Sequence, residues 1–145
     1  MPAVHLEIDA GVAVLTLDDP ERQNAWSSEL EAMFYERLDA VDTDPAVRVV
    51  VMTGSGRMFC PGASSDRLAH IAELGLGYSD RIPFTKTLMF RKPLVAAING
   101  GCAGIGFIQA MSATSGSCPR RQRSRRLSHV AACRRSMRSP GGYRG

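Results

Sequence analysis

Two stretches of small residues have the composition that a backbone needs to act on a carbonyl group. The first is Pro61-Gly62-Ala63-Ser64-Ser65. The second is Asn99-Gly100-Gly101-Cys102-Ala103-Gly104-Ile105-Gly106. Each lies between an apolar run and a helical pattern. Strand-to-helix turns of this kind present backbone N–H groups that have no intrahelical partner, at the positive end of the helix dipole. Such donors favour an anion or a developing negative charge. If two such turns face each other they make an oxyanion hole, in which one donor is typically worth ~3–4 kcal/mol of barrier. Either turn alone is better explained by tight bending and close helix–strand packing. The second turn is not a dinucleotide or P-loop fingerprint, because Gly104 and Gly106 are followed by Gln109 where a third glycine would stand.

Other chemistry-bearing residues are sparse. Cys60, Cys102, Cys118 and Cys133 form no C-x-x-C pair, and the three His give no zinc spacing, so no metal site is expected. Trp26, Asp18 and His70 could stack or carry protons. Structural or surface roles explain them as well, and they are read that way here.

The elements that must position the two turns follow from periodicity. Val4–Ile8 alternates, and Val12–Leu17 reads as a second strand across an Asp9-Ala10-Gly11 hairpin. Ser27 or Ser28 caps a helix running to about Val41, with Glu31 completing a capping box and Leu30, Met33, Phe34, Leu38 and Val41 as its apolar stripe. Val47–Met52 is a buried strand, and 59–65 a loop leading into a helix from about Asp66 to Leu74. A second helix is expected over 80–90, weakened by Pro83 and stopped by Lys92-Pro93. Leu94–Ile98 is a further buried strand, and Phe107–Met111 starts a buried helix.

Charge divides the chain. Residues 1–113 hold 14 acidic and 9 basic side chains, whereas 114–145 hold 9 Arg with no Lys, Asp or Glu. The overall +4 therefore describes neither part. The basic pI of about 9.2 comes wholly from the second, so it is no sign that the body binds nucleic acid. At 145 residues the chain is expected to be one domain, 1–113, with an Arg/Ser-rich tail, 114–145, too poor in apolar periodicity to order itself. His5, Glu7 and Asp9 interrupt any signal peptide, and no run of about 18 apolar residues exists, so a cytoplasmic protein with reduced thiols and no membrane partner is expected.

Several motifs, taken in order, resemble the enoyl-CoA hydratase/isomerase (crotonase) superfamily. They are the opening strands, Pro20-Glu21-Arg22-Gln23-Asn24-Ala25, the strand into Thr53-Gly54, Phe59-Cys60-Pro61-Gly62-Ala63, and Lys92-Pro93-Leu94-Val95-Ala96-Ala97-Ile98-Asn99-Gly100 with its glycine-rich sequel. The resemblance spans about residues 3–113. It implies an α/β fold, an incomplete crotonase-like spiral of ββα units, followed here by a disordered basic tail. It also implies an acyl-CoA thioester substrate, a homotrimer or hexamer, and no cofactor beyond the CoA of the substrate. By position, the oxyanion donors are the N–H groups of Ala63 and Ile105. Cys60, Pro61, Gly62, Ala63, Ser64, Asp66 and Gly104 are then the substrate-binding residues.

Departures from the family pattern bear on activity. Hydratases of this family use two glutamates, one delivering water and one handling the Cα proton, a task suited to paired carboxylates. Ile108 occupies the first position, and the second lies beyond the resemblance. Ile105 places a β-branched side chain where the family has glycine, and Ser64 replaces an Asp. The resemblance therefore implies a truncated, weakly active or inactive member. The alternatives are a non-catalytic acyl-CoA-binding remnant and a protein whose basic tail binds nucleic acid. Against the last, only Tyr143 is aromatic in the tail. A one-base slip in the gene explains the tail's composition. The shifted frame permits Asp-Val-Arg-Phe after Ala113, and Arg-Arg-Gly-Leu-Pro-Ala-Glu from His129 onward, both similar to family sequence.

Overall fold

The computed structural model describes residues 1–74, 84–113 and 115–117. Its elements repeat as ββα. The first unit is β1 (Ala3–Asp9), β2 (Val12–Asp18) and α1 (Ser28–Thr43), with a 3-10 turn η1 (Pro20–Arg22) before the helix. The second is β3 (Val49–Gly54), β4 (Met58–Cys60) and α2 (Ser65–Leu74), followed by a 3-10 helix η2 (Phe84–Met89). The third is β5 (Leu94–Ala97), β6 (Gly101–Cys102) and α3 (Gly104–Ser112), after which β7 (Ser115–Ser117) opens.

The longer strands form one five-stranded sheet in the order β1-β2-β3-β5-β7, and the short β4 and β6 form a second, two-stranded sheet. β1 and β2 pair antiparallel in a hairpin, and the other pairings in both sheets are parallel. The hairpin turns at Ala10 and Gly11, with φ of 47° and 84°, the left-handed pair that matches strand twist. Parallel strands need crossovers, and α1, α2 and α3 supply them. In β2, Ala13, Leu15 and Leu17 alternate into the core. There they meet Leu30, Phe34, Leu38 and Val41 of α1 and Val50, Met52, Leu94 and Ala96 of β3 and β5. Trp26 packs edge-on to Phe34 at 5.2 Å, and Phe34 to Tyr35 at 5.3 Å. Each fully buried large side chain contributes about 1.5–3 kcal/mol.

The structure moves several expected boundaries. Ser27 is the N-cap of α1, accepting from Leu30 N–H at 3.1 Å, so the capping-box position falls on Leu30 and not on Glu31. Glu31 turns inward instead, to Trp26 and Arg67. β3 starts at Val49 because Val47 and Arg48 are still in a turn, donating to Asp44 and Gly11 carbonyls. The expected loop at 59–65 begins inside β4, and the expected turn at 99–106 contains β6 and the first residues of α3. In the expected helix at 80–90, Phe84–Met89 is 3-10, while 80–83 lie outside the described residues. β7 lies beyond the expected boundary at 113, pairing with Val95–Ala97. The rest of the expected tail, 118–145, lies outside the described residues.

Candidate functional site

The β4–β6 pair sets the two small-residue turns side by side. Cys60 faces Cys102 in the parallel ladder, and Ala103 N–H donates to Cys60 O at 3.0 Å. Beyond that point the two chains stay in contact. A Cβ added to Gly104 would lie 3.2 Å from Gly62 Cα, and one added to Gly106 would lie 2.6 Å from Cys60 Cβ. No larger residue fits at Gly106 without pushing α3 off β4. Gly62 and Gly104 also take positive φ, 122° and 52°. The left-handed step of the second turn therefore falls on Gly104, and Ile105 keeps an ordinary helical backbone, which is why a β-branched residue is accommodated there.

Each turn leaves one backbone N–H without a backbone acceptor. Ala63 makes a parallel bridge with Trp26, in which Trp26 N–H donates to Gly62 O at 2.7 Å and Ser64 N–H to Trp26 O at 3.2 Å. In such a bridge the middle residue's own N–H points away from its partner. On α3 the N-cap is Ala103, whose side chain caps nothing, and the first backbone bond back to it comes from Phe107. Among the described residues, neither Ala63 N–H nor Ile105 N–H has a backbone acceptor. The two donors thus lie on adjoining turns, and that of Ile105 is in the first turn of a nine-residue helix, where the helix dipole is positive.

The surroundings hold these turns firmly. Asn24, fully buried with φ 60°, accepts from Asp19 N–H at 2.8 Å and donates to Ser55 O and Met58 O at 2.9 and 2.7 Å. It thus ties the 20–25 loop to the β3–β4 turn. Ser64 caps α2, its Oγ accepting from Arg67 N–H at 3.2 Å. Next to it a groove of about 400 Å³ is lined by Arg22, Ala25, Ser64, Ser65 and Asp66. Arg22 and Asp66 pair across it at 3.5 Å, both side chains exposed.

Side chains near the turns carry little acid–base capacity. Ile108 is 41% exposed and presents only alkyl surface. Gln109 is buried in a structural network, donating to Tyr35 Oη at 2.9 Å and accepting from Thr87 Oγ1. Cys60 is wholly buried, so it shapes its turn and offers no side chain to the groove. Burial pushes its thiol above the usual range, and burial with the neighbouring Cys60 pushes Cys102 up to about 12. Asp18 pairs with His5 at 2.8 Å, Trp26 is buried, and His70 is exposed. Among the described residues no three His, Cys, Asp or Glu side chains gather as a metal set, and no helix is long and apolar enough to cross a membrane. Sequence reading did not identify Asn24, Glu31 or Arg67 as site-holding residues. For Glu31 and Arg67, 36 positions apart, nothing in local periodicity marks the pairing.

Known proteins are similar to this chain in sequence and fold. The profile of the enoyl-CoA hydratase/isomerase family matches residues 7–115. A 2,3-dehydroadipyl-CoA hydratase of Escherichia coli is 35% identical over 97 residues, covering 66% of this chain and 38% of its own length. A 1,2-epoxyphenylacetyl-CoA isomerase of the same organism is 33% identical over 111 residues, with 72% and 42% covered. The crystal structure of an enoyl-CoA hydratase from Mycobacterium marinum superposes with a TM-score of 0.65 at 39% identity, over 80% of this chain and 50% of that one. The chain spans 40–44% of the length of the first curated relatives that it matches.

Proposed function

Since the chain belongs to the enoyl-CoA hydratase/isomerase family, we propose that its two adjoining turns bind the carbonyl of an acyl-CoA thioester. The observation that carries this reading is the pair of turns with Ala63 and Ile105 N–H left without backbone acceptors. In the mechanism, both donors hold the thioester oxygen, and their bonds shorten as the oxygen takes on enolate charge. By the resemblance, Pro61, Gly62, Ser64, Asp66 and Gly104 contact the substrate, and the groove lined by Arg22, Ala25, Ser64, Ser65 and Asp66 receives the CoA portion. The chemistry needs no metal or redox cofactor, since the charge that develops is met by backbone dipoles.

Proton transfer is the weak step. Ile108 stands where the resemblance places a glutamate, and an alkyl side chain neither accepts nor donates a proton. A positioned acid or base contributes about 10²–10⁴-fold to rate. We therefore read the chain as binding acyl-CoA thioesters with little or no hydratase turnover, a cytoplasmic homotrimer or hexamer by family. Calorimetry with crotonyl-CoA and the loss of its enoyl absorbance on hydration test this together. Binding without hydration is expected from the full chain. Absence of binding sinks the thioester reading, and measurable hydration sinks the claim that Ile108 removes turnover.

A further inference from the structure

We infer that Trp26, Glu31 and Arg67 are positioning residues for the Ala63 N–H, closing a ring of hydrogen bonds that fixes one half of the donor pair. This rests on the acyl-thioester reading of the two turns.

The ring can be followed bond by bond. The main chain of Trp26 holds Gly62 and Ser64 on either side of Ala63. Its indole Nε1 donates to Glu31 Oε2 at 2.7 Å. Arg67 Nη1 donates to the same oxygen at 2.8 Å, and Nη2 to Oε1 at 3.2 Å. Arg67 then returns to the turn through its backbone N–H, which donates to Ser64 Oγ. Trp26, Glu31, Arg67 and Ser64 are 1%, 6%, 6% and 5% exposed, so the ring lies inside the protein.

Stability alone does not account for this arrangement. A buried ion pair recovers its desolvation cost only with good geometry, and apolar residues of similar volume usually serve as well or better. Apolar packing would fill the space, yet it would not fix a direction. A two-pronged guanidinium–carboxylate contact does fix one, because its planar geometry admits little rotation. An oxyanion donor needs this, since its worth depends on aim at the charged oxygen. The other donor is held differently: Gly106 seats α3 directly on Cys60, so Ile105 is aimed by backbone packing. The first turn touches α3 through Gly62 against Gly104, and the ring adds a fixed direction for Ala63.

Two measurements on the full chain test the role. The first is calorimetric affinity for crotonyl-CoA and for S-butyl-CoA, a thioether with the same CoA portion and no carbonyl oxygen. Their ratio reads the oxyanion donors, whereas general loosening weakens both ligands together. Arg67→Met and Glu31→Gln should lower that ratio by about tenfold, the worth of one well-aligned hydrogen bond. Affinity for S-butyl-CoA should hold. An unchanged ratio in folded variants overturns the role. The second is amide exchange without ligand: Ser64 N–H should exchange about tenfold faster in Arg67→Met while β1–β2 amides stay protected. Unchanged exchange overturns the ring even where wild-type chain prefers the thioester. If the wild type shows no thioester preference, the acyl-thioester reading fails and the positioning role falls with it, whatever the exchange shows. Arg67→Lys keeps the charge without the two-pronged contact, and gives the same comparison if the Met variant does not fold.

Discussion

Asn24 sits in the left-handed region with its amide satisfied by three backbone groups from two segments. Asn tolerates that conformation better than most residues, and its side chain replaces backbone partners that the turns cannot supply. Asn24→Ala should therefore cost ~2–4 kcal/mol in a denaturant titration, because it leaves buried peptide groups unpaired. The Pro20–Ala25 stretch was legible as a motif, but which side chain carried it was not, since two of the three partners, Ser55 O and Met58 O, come from fold contacts. Titration at single residues also has a sign. Burial raises the thiols of Cys60 and Cys102, the latter to about 12. Unfolded thiols lose their protons near ~8.5 while the folded ones keep theirs, so their share of stability is present below ~8.5 and falls as pH rises above it, for Cys102 toward about 12. Asp18 is held below its usual range by hydrogen bonds from Ser55 and His5, and its contribution is lost as pH drops below the ordinary carboxylate range. A stability–pH series should therefore decline at both ends, and iodoacetamide at neutral pH should leave Cys60 and Cys102 unmodified in peptide maps.

At the scale of elements, the ββα repeat explains why two turns so far apart in sequence meet. β4 and β6 are the second strands of successive units, so their pairing places the residues after each strand in contact. Sequence periodicity showed the long strands and α1, because their apolar spacing is set by a large core. It did not show β4 or β6, which are three and two residues long and are defined by pairing with each other. α3 depends on its seat at Gly106 and on Gln109. Gly106→Ala should loosen that seat by ~1–3 kcal/mol and weaken crotonyl-CoA binding, since the new Cβ would crowd Cys60. Gln109→Ala should cost a similar ~2–4 kcal/mol by orphaning Thr87 and Tyr35 hydroxyls. Denaturant titrations of both variants check these values.

For the molecule as a whole, composition and family likeness divide near the same place. The family profile ends at residue 115, just before the arginine-rich stretch that begins at Arg120. That break was visible in the sequence because charge needs no structure to be counted. We propose that residues 114–145 are read out of frame, and sequencing the gene past codon 113 checks it. A family-like reading frame continuing there is the expected result, whereas a salt-sensitive, tail-dependent affinity for RNA would favour a functional arm. The central claim concerns the two turns, and it is most directly tested by ¹⁵N NMR of the full chain titrated with crotonyl-CoA. The account predicts that the Ala63 and Ile105 amides shift together and saturate with one binding curve, and that S-butyl-CoA leaves both in place. Saturable binding that perturbs neither amide, or perturbs them equally with the thioether, would contradict it.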